Sequence, residues 1–546
     1  MGKNGNYALK RRAILKKNKN RLLAISSGLI LSLAWIPNLT FLIFVSWIPF
    51  FSMLEKVWED ESIKKKNKTL FGLSFLSFFV WNTLVTWWIV YASFVGVALA
   101  ILVNSTLMSL TVLLFFQFYK KYKKHIALYF FIPVWLAYEY FHLQWDASWP
   151  WLNLGNVFSF QTNWIQWYEY TGVSGGSAWI LLVNISIYCL IINKKYTSIK
   201  SSLTTAFILV LPLVFSYLIL QARTFISSRL NPIETVIVQP NLDPYSEKFY
   251  ISPDIQLKNL LKQIEGKVDE KTDMLVLPET FLTENIWENN INGSGSIQFL
   301  KDSILKKFPK LHIVTGGSSL LAYEKQFSSA TERKFSDGPG YYDYFNSAFY
   351  IHDTEKINVY HKSKLVPGVE KMPFPTLFKP LEAFALDLGG TIGSLGIQEQ
   401  RGVFSLKKRE AKIAPIICYE SIYGEYVTDY VKNGANLFCI LTNDGWWNNT
   451  PGYKQHLAYG SLRAIENRKQ IARSANTGTS CFIDEFGSIT LPTPFWEEAV
   501  IKSKCYPNTY ESFYSKFGDV LSKLAILSLL VLLVSTLWIT YSKNKL

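Results

Sequence analysis

The sequence predicts an α-helical membrane bundle of about eight spans joined to an α/β domain outside the cytoplasm. Three observations predict it. Apolar runs near the ~20 residues that a bilayer demands recur through the first 221 residues and once more near the end. Lysine and arginine cluster in alternate connections between those runs. One long polar stretch, 222–520, carries short, strongly apolar segments with amphipathic ones between them. The chain of 546 residues is 49% hydrophobic and 16% aromatic, which is apolar for a soluble protein of this length. Its net charge of +15 raises nucleic acid as a partner. The basic residues sit beside apolar runs, however, which assigns them to membrane topology and not to nucleic acid.

The elements follow in order. The stretch 22–54 is uncharged and too long for one ordinary span. Pro37 and Asn38 at its middle would end a helix, so it is read as two short spans. Runs at 70–90, 94–118, 126–141, 174–193, 203–221 and 521–541 complete the eight. Positive charge fills the tail 1–21, the loops after the second, fourth and sixth spans, and the tail 542–546, whereas 142–173 has no Lys or Arg. That alternation puts both termini in the cytoplasm and 142–173 and 222–520 outside it. A signal peptide is set aside, because no small-residue cleavage site followed by soluble chain comes after the first apolar stretch. The expected divisions are a basic cytoplasmic segment 1–21, a bundle 22–221, a catalytic domain 222–520, a last span 521–541 and a tail 542–546. The outer segment 142–173 holds Trp145, Trp149, Trp151, Trp164 and Trp167. It is either an interfacial aromatic belt, a lipid-facing floor beneath the outer domain, or both.

Within 222–520 the strand signals are TVIVQ (235–239), MLVLPE (274–279), HIVTGG (312–317), SAFYI (347–351), IAPIICYE (413–420) and NLFCILTND (436–444). Amphipathic stretches at 251–266, 295–307 and 454–469 lie between some of them. Apolar strands alternating with helices indicate a layered α/β domain. Three strands end in polar residues, at Glu279, Cys418 and Asn443/Asp444, where such folds place chemistry. No His, Cys, Asp and Glu set has metal-ligand spacing, so no metal is expected. No phosphate-binding or nucleophile-elbow motif occurs. Cys439 and Cys481 lie in apolar contexts and read as core. Taken alone, Cys418 is open to three readings: core residue, disulfide half or nucleophile.

Several peptides together narrow this. Glu279 in LVLPETF, Lys362 in YHKSKLVP and Cys418 in IICYE follow the order and approximate spacing of the Glu–Lys–Cys triad of the nitrilase superfamily. Further matching stretches are SWPWLNLGN (148–156), TGVSGGSAWILLVN (171–184), VIVQPNLDP (236–244), FNSAF (345–349), TNDGWW (442–447) and the run 455–484. With the spans, they make the chain similar from end to end to the apolipoprotein N-acyltransferase family of bacterial inner-membrane enzymes. Two departures stand out. Gly368-Val369 replaces a common Phe-Gly before Glu370, and Phe249 stands where the family often has tryptophan.

The resemblance implies an extracytoplasmic, nitrilase-like αββα sandwich on the periplasmic side of the inner membrane. It implies that Glu279 is the base, Lys362 the cation and Cys418 the nucleophile, with Glu370, Tyr419, Glu420 and Phe249 positioning them or the substrate. The implied reaction carries a fatty acyl chain from a phospholipid, through a Cys418 thioester, to the amino group of a diacylglyceryl-cysteine on an apolipoprotein. The bilayer is the third partner; no cofactor is implied, and a monomer is the default. The Phe- and Leu-rich stretch 372–386 is expected to be a lipid-facing lid through Phe374, Leu377 and Phe378. Two other functions fit parts of the sequence. A membrane-tethered nitrilase-like amidase would use the same triad. A transporter would need functional charge within spans, for which Glu139 is the main candidate.

Overall fold

The computed structural model describes residues 3–192, 199–324, 331–352, 356–374 and 394–545. Among these, six segments are long and apolar enough to cross a membrane: Pro37–Glu59, Lys66–Tyr91, Phe94–Tyr119, Tyr168–Ile192, Ile199–Ala222 and Val520–Ser542. The other two expected spans are helices too. Lys3–Leu33 enters the uncharged run from the basic tail, and Phe131–Gln144 has only 14 residues. The run 22–54 breaks just ahead of Pro37, which opens a 3-10 turn, Pro37–Phe44, before the helix Ile48–Glu59. Proline suits that first position, where its missing N–H goes unused. The helix Ile199–Ala222 exposes Leu203, Phe207, Tyr217 and Leu218. A helix apolar all round needs hydrocarbon or protein on every side.

The second unit is built from two sheets. Its strands in chain order are β1 (Ile233–Gln239), β2 (Met274–Val276), β3 (Leu282–Trp287), β4 (His312–Tyr323), β5 (Arg333–Lys334), β6 (Tyr341–Ile351) and β7 (Asn358–His361). There follow β8 (Phe404–Ser405), β9 (Lys412–Ile417), β10 (Leu437–Thr442), β11 (Ile471–Ala475), β12 (Cys481–Ile483), β13 (Ile489–Thr490) and β14 (Ala499–Cys505). The first sheet runs β14-β1-β2-β4-β6-β5, with β3 on β4 and β7 on β6; the second runs β13-β12-β11-β10-β9-β8. β1, β2 and β4 are parallel neighbours, as are β9, β10 and β11. Their polar strand ends therefore point the same way within each sheet.

Packing follows from the apolar patterning. Ile237, Val276 and Val314 of the first sheet meet Ile413, Ile416 and Leu441 of the second in one buried cluster. Cys439, Cys481 and Cys505 belong to that cluster as free thiols. The far face of the first sheet buries Val236 and Leu275 against Leu257 and Leu260 of the helix Pro253–Ile264. On the far side of the second sheet, Tyr459, Leu462 and Ile465 of the helix Pro451–Asn467 share a cluster with the apolar helices. The sandwich is therefore helix, sheet, sheet, helix, and its last layer is packed onto the bundle.

Arg468 fastens that joint. It caps the helix Pro451–Asn467 in a left-handed conformation (φ 51°), fully buried. Its guanidinium donates to Glu169 Oε2 at 2.9 Å, to Gln166 Oε1 and Gln166 O at 2.6 Å each, and to Glu485 O at 2.9 Å. Gln166 lies just before, and Glu169 in the first turn of, the apolar helix Tyr168–Ile192. Arg468→Ala leaves the Glu169 carboxylate buried without its cation, a loss of about 3–5 kcal/mol. A clear fall in the thermal unfolding midpoint of the detergent-solubilised protein is the expected outcome; a midpoint within 1 °C or so of the parent contradicts this role.

Candidate active site

Three strand ends converge between the sheets. Glu279 follows β2 by way of Leu277 and Pro278. The peptide after it is tight: Thr280 has φ 47°, and Gly316 of β4 lies beneath. A Cβ on Gly316 would stand 2.6 Å from the Glu279 Cα and 2.6 Å from the Thr280 nitrogen. Only glycine lets the two backbones approach this closely. Lys362 follows β7 and is anchored by its own N–H, which donates to Asn346 O on β6 at 2.8 Å. Cys418 follows β9.

Lys362 is the hub, with 1% of its side chain exposed. Its Nζ donates to Glu279 Oε1 at 2.9 Å and to Glu370 Oε1 at 2.8 Å. Asn346 Nδ2 bridges the same two oxygens, at 2.8 Å to Glu279 and 3.0 Å to Glu370. Glu370 Oε2 accepts from Val366 N at 2.8 Å across a turn that places Gly368 at φ 80°. The Gly368-Val369 departure thus still delivers Glu370 to the lysine. Burial alone would push the Glu279 carboxyl up, but Lys362 and Asn346 outweigh it and hold it below the usual glutamate value. Burial likewise works against the charged lysine, and the two carboxylates overcome it, keeping Lys362 cationic well above its ordinary range.

Cys418 sits in the left-handed region, at φ 47°, on the turn between β9 and a 3-10 segment, Cys418–Ile422. A non-glycine residue there stores about 1–3 kcal/mol of strain, held only when its surroundings over-determine it. They do so here. Glu420 is fully buried, and its carboxylate accepts from the hydroxyls of Tyr360 (2.7 Å), Tyr426 (2.5 Å) and Tyr430 (3.1 Å). It also accepts from Ile417 N (2.9 Å) and Ser363 N (2.8 Å). One carboxylate thus ties the residue before the cysteine to the residue after Lys362. From the other side, Ser421 Oγ donates to Cys418 O at 2.7 Å, and His456 Nε2 lies 3.2 Å from the same oxygen. His456 Nδ1 rests 2.9 Å from Asp444 Oδ1, and Arg473 donates to Asp444 Oδ2 at 2.7 Å. Burial works against the ionised Asp444, but Arg473 and His456 outweigh it and bring its pKa down to about 2.

The Cys418 thiol is held well above its ordinary range, first by burial and then by the charge of Glu279, against the opposing pull of Lys362. The resting site therefore holds a neutral thiol, an ionised glutamate and a protonated lysine. That set can transfer a proton from sulfur to carboxylate at the moment of attack.

The remaining expected residues fall in different places. Tyr419 is buried and faces the bundle: its hydroxyl donates to Ser148 O at 3.0 Å, and its ring stacks 6.1 Å from Trp149, which stacks 5.2 Å from Trp151. The tryptophan-rich segment is thus partly interior, packed against the residue after the cysteine. Phe249 stays outside the cluster, 51% exposed on the loop after β1. Phe374 is partly exposed, its N–H donating to Asp146 Oδ2 at 2.8 Å and its ring 5.8 Å from Trp145. Leu377 and Phe378 lie outside the described residues. Glu139 is buried and engaged by Leu154 N (2.7 Å) and Trp135 Nε1 (3.0 Å), a structural tie. Sequence reasoning missed Asn346, Gly316, His456 and Arg473. All four lay inside quoted stretches, but no spacing rule marks a bridging amide, a close-packed glycine or a buried ion chain.

Comparison with known proteins adds the following. The carbon-nitrogen hydrolase family model matches residues 237–514, and that of the apolipoprotein N-acyltransferase N-terminal domain matches 27–186. A protein named apolipoprotein N-acyltransferase from Chlorobaculum tepidum is 27% identical over 488 residues, covering 87% of this chain and 88% of its own. Proteins of the same name from Rickettsia prowazekii (27% identity, 94% and 96% covered) and Pasteurella multocida (26%, 95% and 96%) align over nearly the whole length.

Gly316→Ala tests the geometry. The added methyl displaces the Glu279 peptide, and misplacing a reacting group by about 1 Å costs on the order of 100-fold in rate. The expected result is that loss with an unchanged far-ultraviolet circular dichroism spectrum; full activity would show that the close approach is dispensable.

Proposed function

The chain belongs to the carbon-nitrogen hydrolase family, and we propose that it turns that family's fold to acyl transfer between two lipid-anchored substrates. The observation that carries this is the joining of two features in one chain. A Cys418 elbow faces a buried Glu279–Lys362 pair, and the residue after the cysteine packs on tryptophans of an apolar helical bundle. The relatives' name supports the same reading.

In the first half-reaction Glu279 takes the Cys418 proton as Sγ attacks the carbonyl carbon of a phospholipid ester. Lys362 gives two N–H groups to carboxylates; the third is assigned to the oxyanion, with the Tyr419 backbone N–H as second donor. Collapse expels the lysophospholipid oxygen, which leaves with the proton from Glu279, and Cys418 keeps the acyl group as a thioester. In the second half, the α-amino group of a diacylglyceryl-cysteine on an apolipoprotein attacks the thioester. Glu279 accepts its proton and returns it to the departing sulfur. The product is an N-acylated lipoprotein and the free enzyme, with ping-pong kinetics.

The same proposal assigns the topology: about eight spans, with Lys3–Leu33 and Phe131–Gln144 completing the six, and both termini cytoplasmic. It divides the chain at 21, 221, 520 and 541 as the charge pattern suggests. It puts the catalytic domain on the periplasmic side of a bacterial inner membrane, in a monomer open sideways to lipid. Positive-inside charge and the apolar surface of Ile199–Ala222 support this.

Mass spectrometry of the purified protein incubated with phospholipid tests the central step. A fatty acyl adduct on Cys418, discharged by a diacylated lipopeptide and missing in Cys418→Ala, is expected. Turnover of small amides with no adduct would favour the amidase instead. The pH profile tests the base. Because Glu279 titrates below its ordinary value of 4.5, acylation persists as pH falls and is lost only below that value. Asn346→Ala removes one hydrogen bond to the ionised form and moves the acid limb upward, along with a slower rate. A parent limb above about pH 6 would mean another group is the base.

A further inference from the structure

Two carboxylates and one ammonium meet at the site, so Glu279, Glu370 and Lys362 together carry one surplus negative charge. Ionising Cys418 would add a second in the same buried space. A second cation stands close by. Lys248, on the loop between β1 and the helix Pro253–Ile264, is 1% exposed. Its Nζ donates to the backbone oxygen of Glu279 at 2.8 Å and to Thr280 Oγ1 at 2.7 Å.

The loop is built to bring it there. Lys248 N donates to Asp243 O at 2.9 Å, and Gln256 Nε2 donates to Lys248 O at 2.6 Å. Asn241 N donates to Asn476 O at 2.8 Å beside β11. Phe249, the next residue, points outward while Lys248 points in. Among the described residues no carboxylate forms an ion pair with Lys248. Its charge is answered instead by neutral oxygens, by the Phe249 ring, whose centroid lies 5.5 Å from Nζ, and by the field of Glu279. Burial brings its pKa down to about 8, more than the charge of Glu279, and of Cys418 once ionised, restores. A buried ammonium without its own carboxylate is costly, and such a group marks a functional site more often than a brace.

We infer that Lys248 is a positioning residue that supplies the second positive charge of the site, offsetting the surplus carboxylate when Cys418 becomes a thiolate, while fixing the left-handed turn that aims Glu279. This rests on Cys418 being the acyl-carrying nucleophile. Glu279 still receives the thiol proton; Lys248 keeps its own and makes no bond to substrate.

The test is the pH dependence of Cys418 alkylation by iodoacetamide, read on the Cys418 peptide by mass spectrometry, in the parent, Lys248→Met and Lys248→Arg. Methionine keeps the length and loses the charge; arginine keeps the charge. An opposite charge within about 4–6 Å moves a pKa by about 1–3 units. The alkylation midpoint should rise by at least about one unit in Lys248→Met, a roughly tenfold slower reaction at neutral pH. Lys248→Arg should restore most of the parent midpoint. Thermal unfolding of each variant, measured in parallel, shows that the comparison is between folded proteins. An unchanged midpoint in a folded Lys248→Met overturns the inference, as does an equal rise in folded Lys248→Met and Lys248→Arg, which would leave only a brace. The readout is thiol ionisation and not turnover. A parent that shows the Lys248-dependent shift but forms no acyl adduct would defeat the acyl-transfer reading and leave the charge assignment standing.

Discussion

A lysine ammonium sealed from water and shared by two carboxylates organises this site. Lys362 cannot stay charged in that position without Glu279 and Glu370, and Glu279 cannot stay ionised there without it. Removing one partner strands the others, so three segments distant in sequence must arrive together. The backbone features around them serve that meeting. Gly316 yields the space for the Glu279 peptide, Asn346 donates to both carboxylates from β6, and the Gly368 turn swings Glu370 back onto Val366 N. None of these does any chemistry; each removes a way for the three charges to miss one another.

The cysteine elbow answers to a different constraint. A strand buried on both faces has to end abruptly to present a sulfur, and the left-handed Cys418 backbone is the price of that ending. Glu420 meets it from one side with five donors, and the Ser421–His456–Asp444–Arg473 chain from the other. Glu420 also holds Ser363 N, so the turn that bears Cys418 and the turn that bears Lys362 share one carboxylate. The turns that carry sulfur and ammonium are thereby set relative to each other by backbone hydrogen bonds, while the ammonium itself is held by Glu279 and Glu370.

The strands that build the site could be read from the sequence because each is a continuous apolar run with a polar end. Glu279, Cys418 and Asp444 were visible as those ends, and β1, β2, β4, β6, β9 and β10 match the quoted runs closely. The short edge strands β5, β8 and β13 were not, since two residues carry no period. β14 and β7 mix Lys, Ser and Asn into the alternation and so looked like loop. Phe249 and Lys248 show the limit most clearly. A resemblance drew attention to the aromatic residue, whereas burial picked out its neighbour, and one position along a loop reverses which side chain faces in. Asn346 and Gly316 act through contacts with segments distant in sequence, which no local pattern records.

The link between the two halves of the molecule lies beside the candidate nucleophile. Tyr419 follows Cys418 directly, yet its ring and hydroxyl belong to the bundle's side, on Trp149 and Ser148. An enzyme acting on a soluble amide would gain nothing from a nucleophile braced by membrane-proximal tryptophans. One whose ester arrives within the bilayer surface gains a fixed height of the sulfur above that surface. The Arg468 joint with Gln166 and Glu169 keeps that height constant. In the acyl transfer proposed above, a phospholipid ester sits at a set depth below its headgroup, so a cysteine held rigidly to the bundle would meet one carbonyl before any pocket selects the chain attached to it.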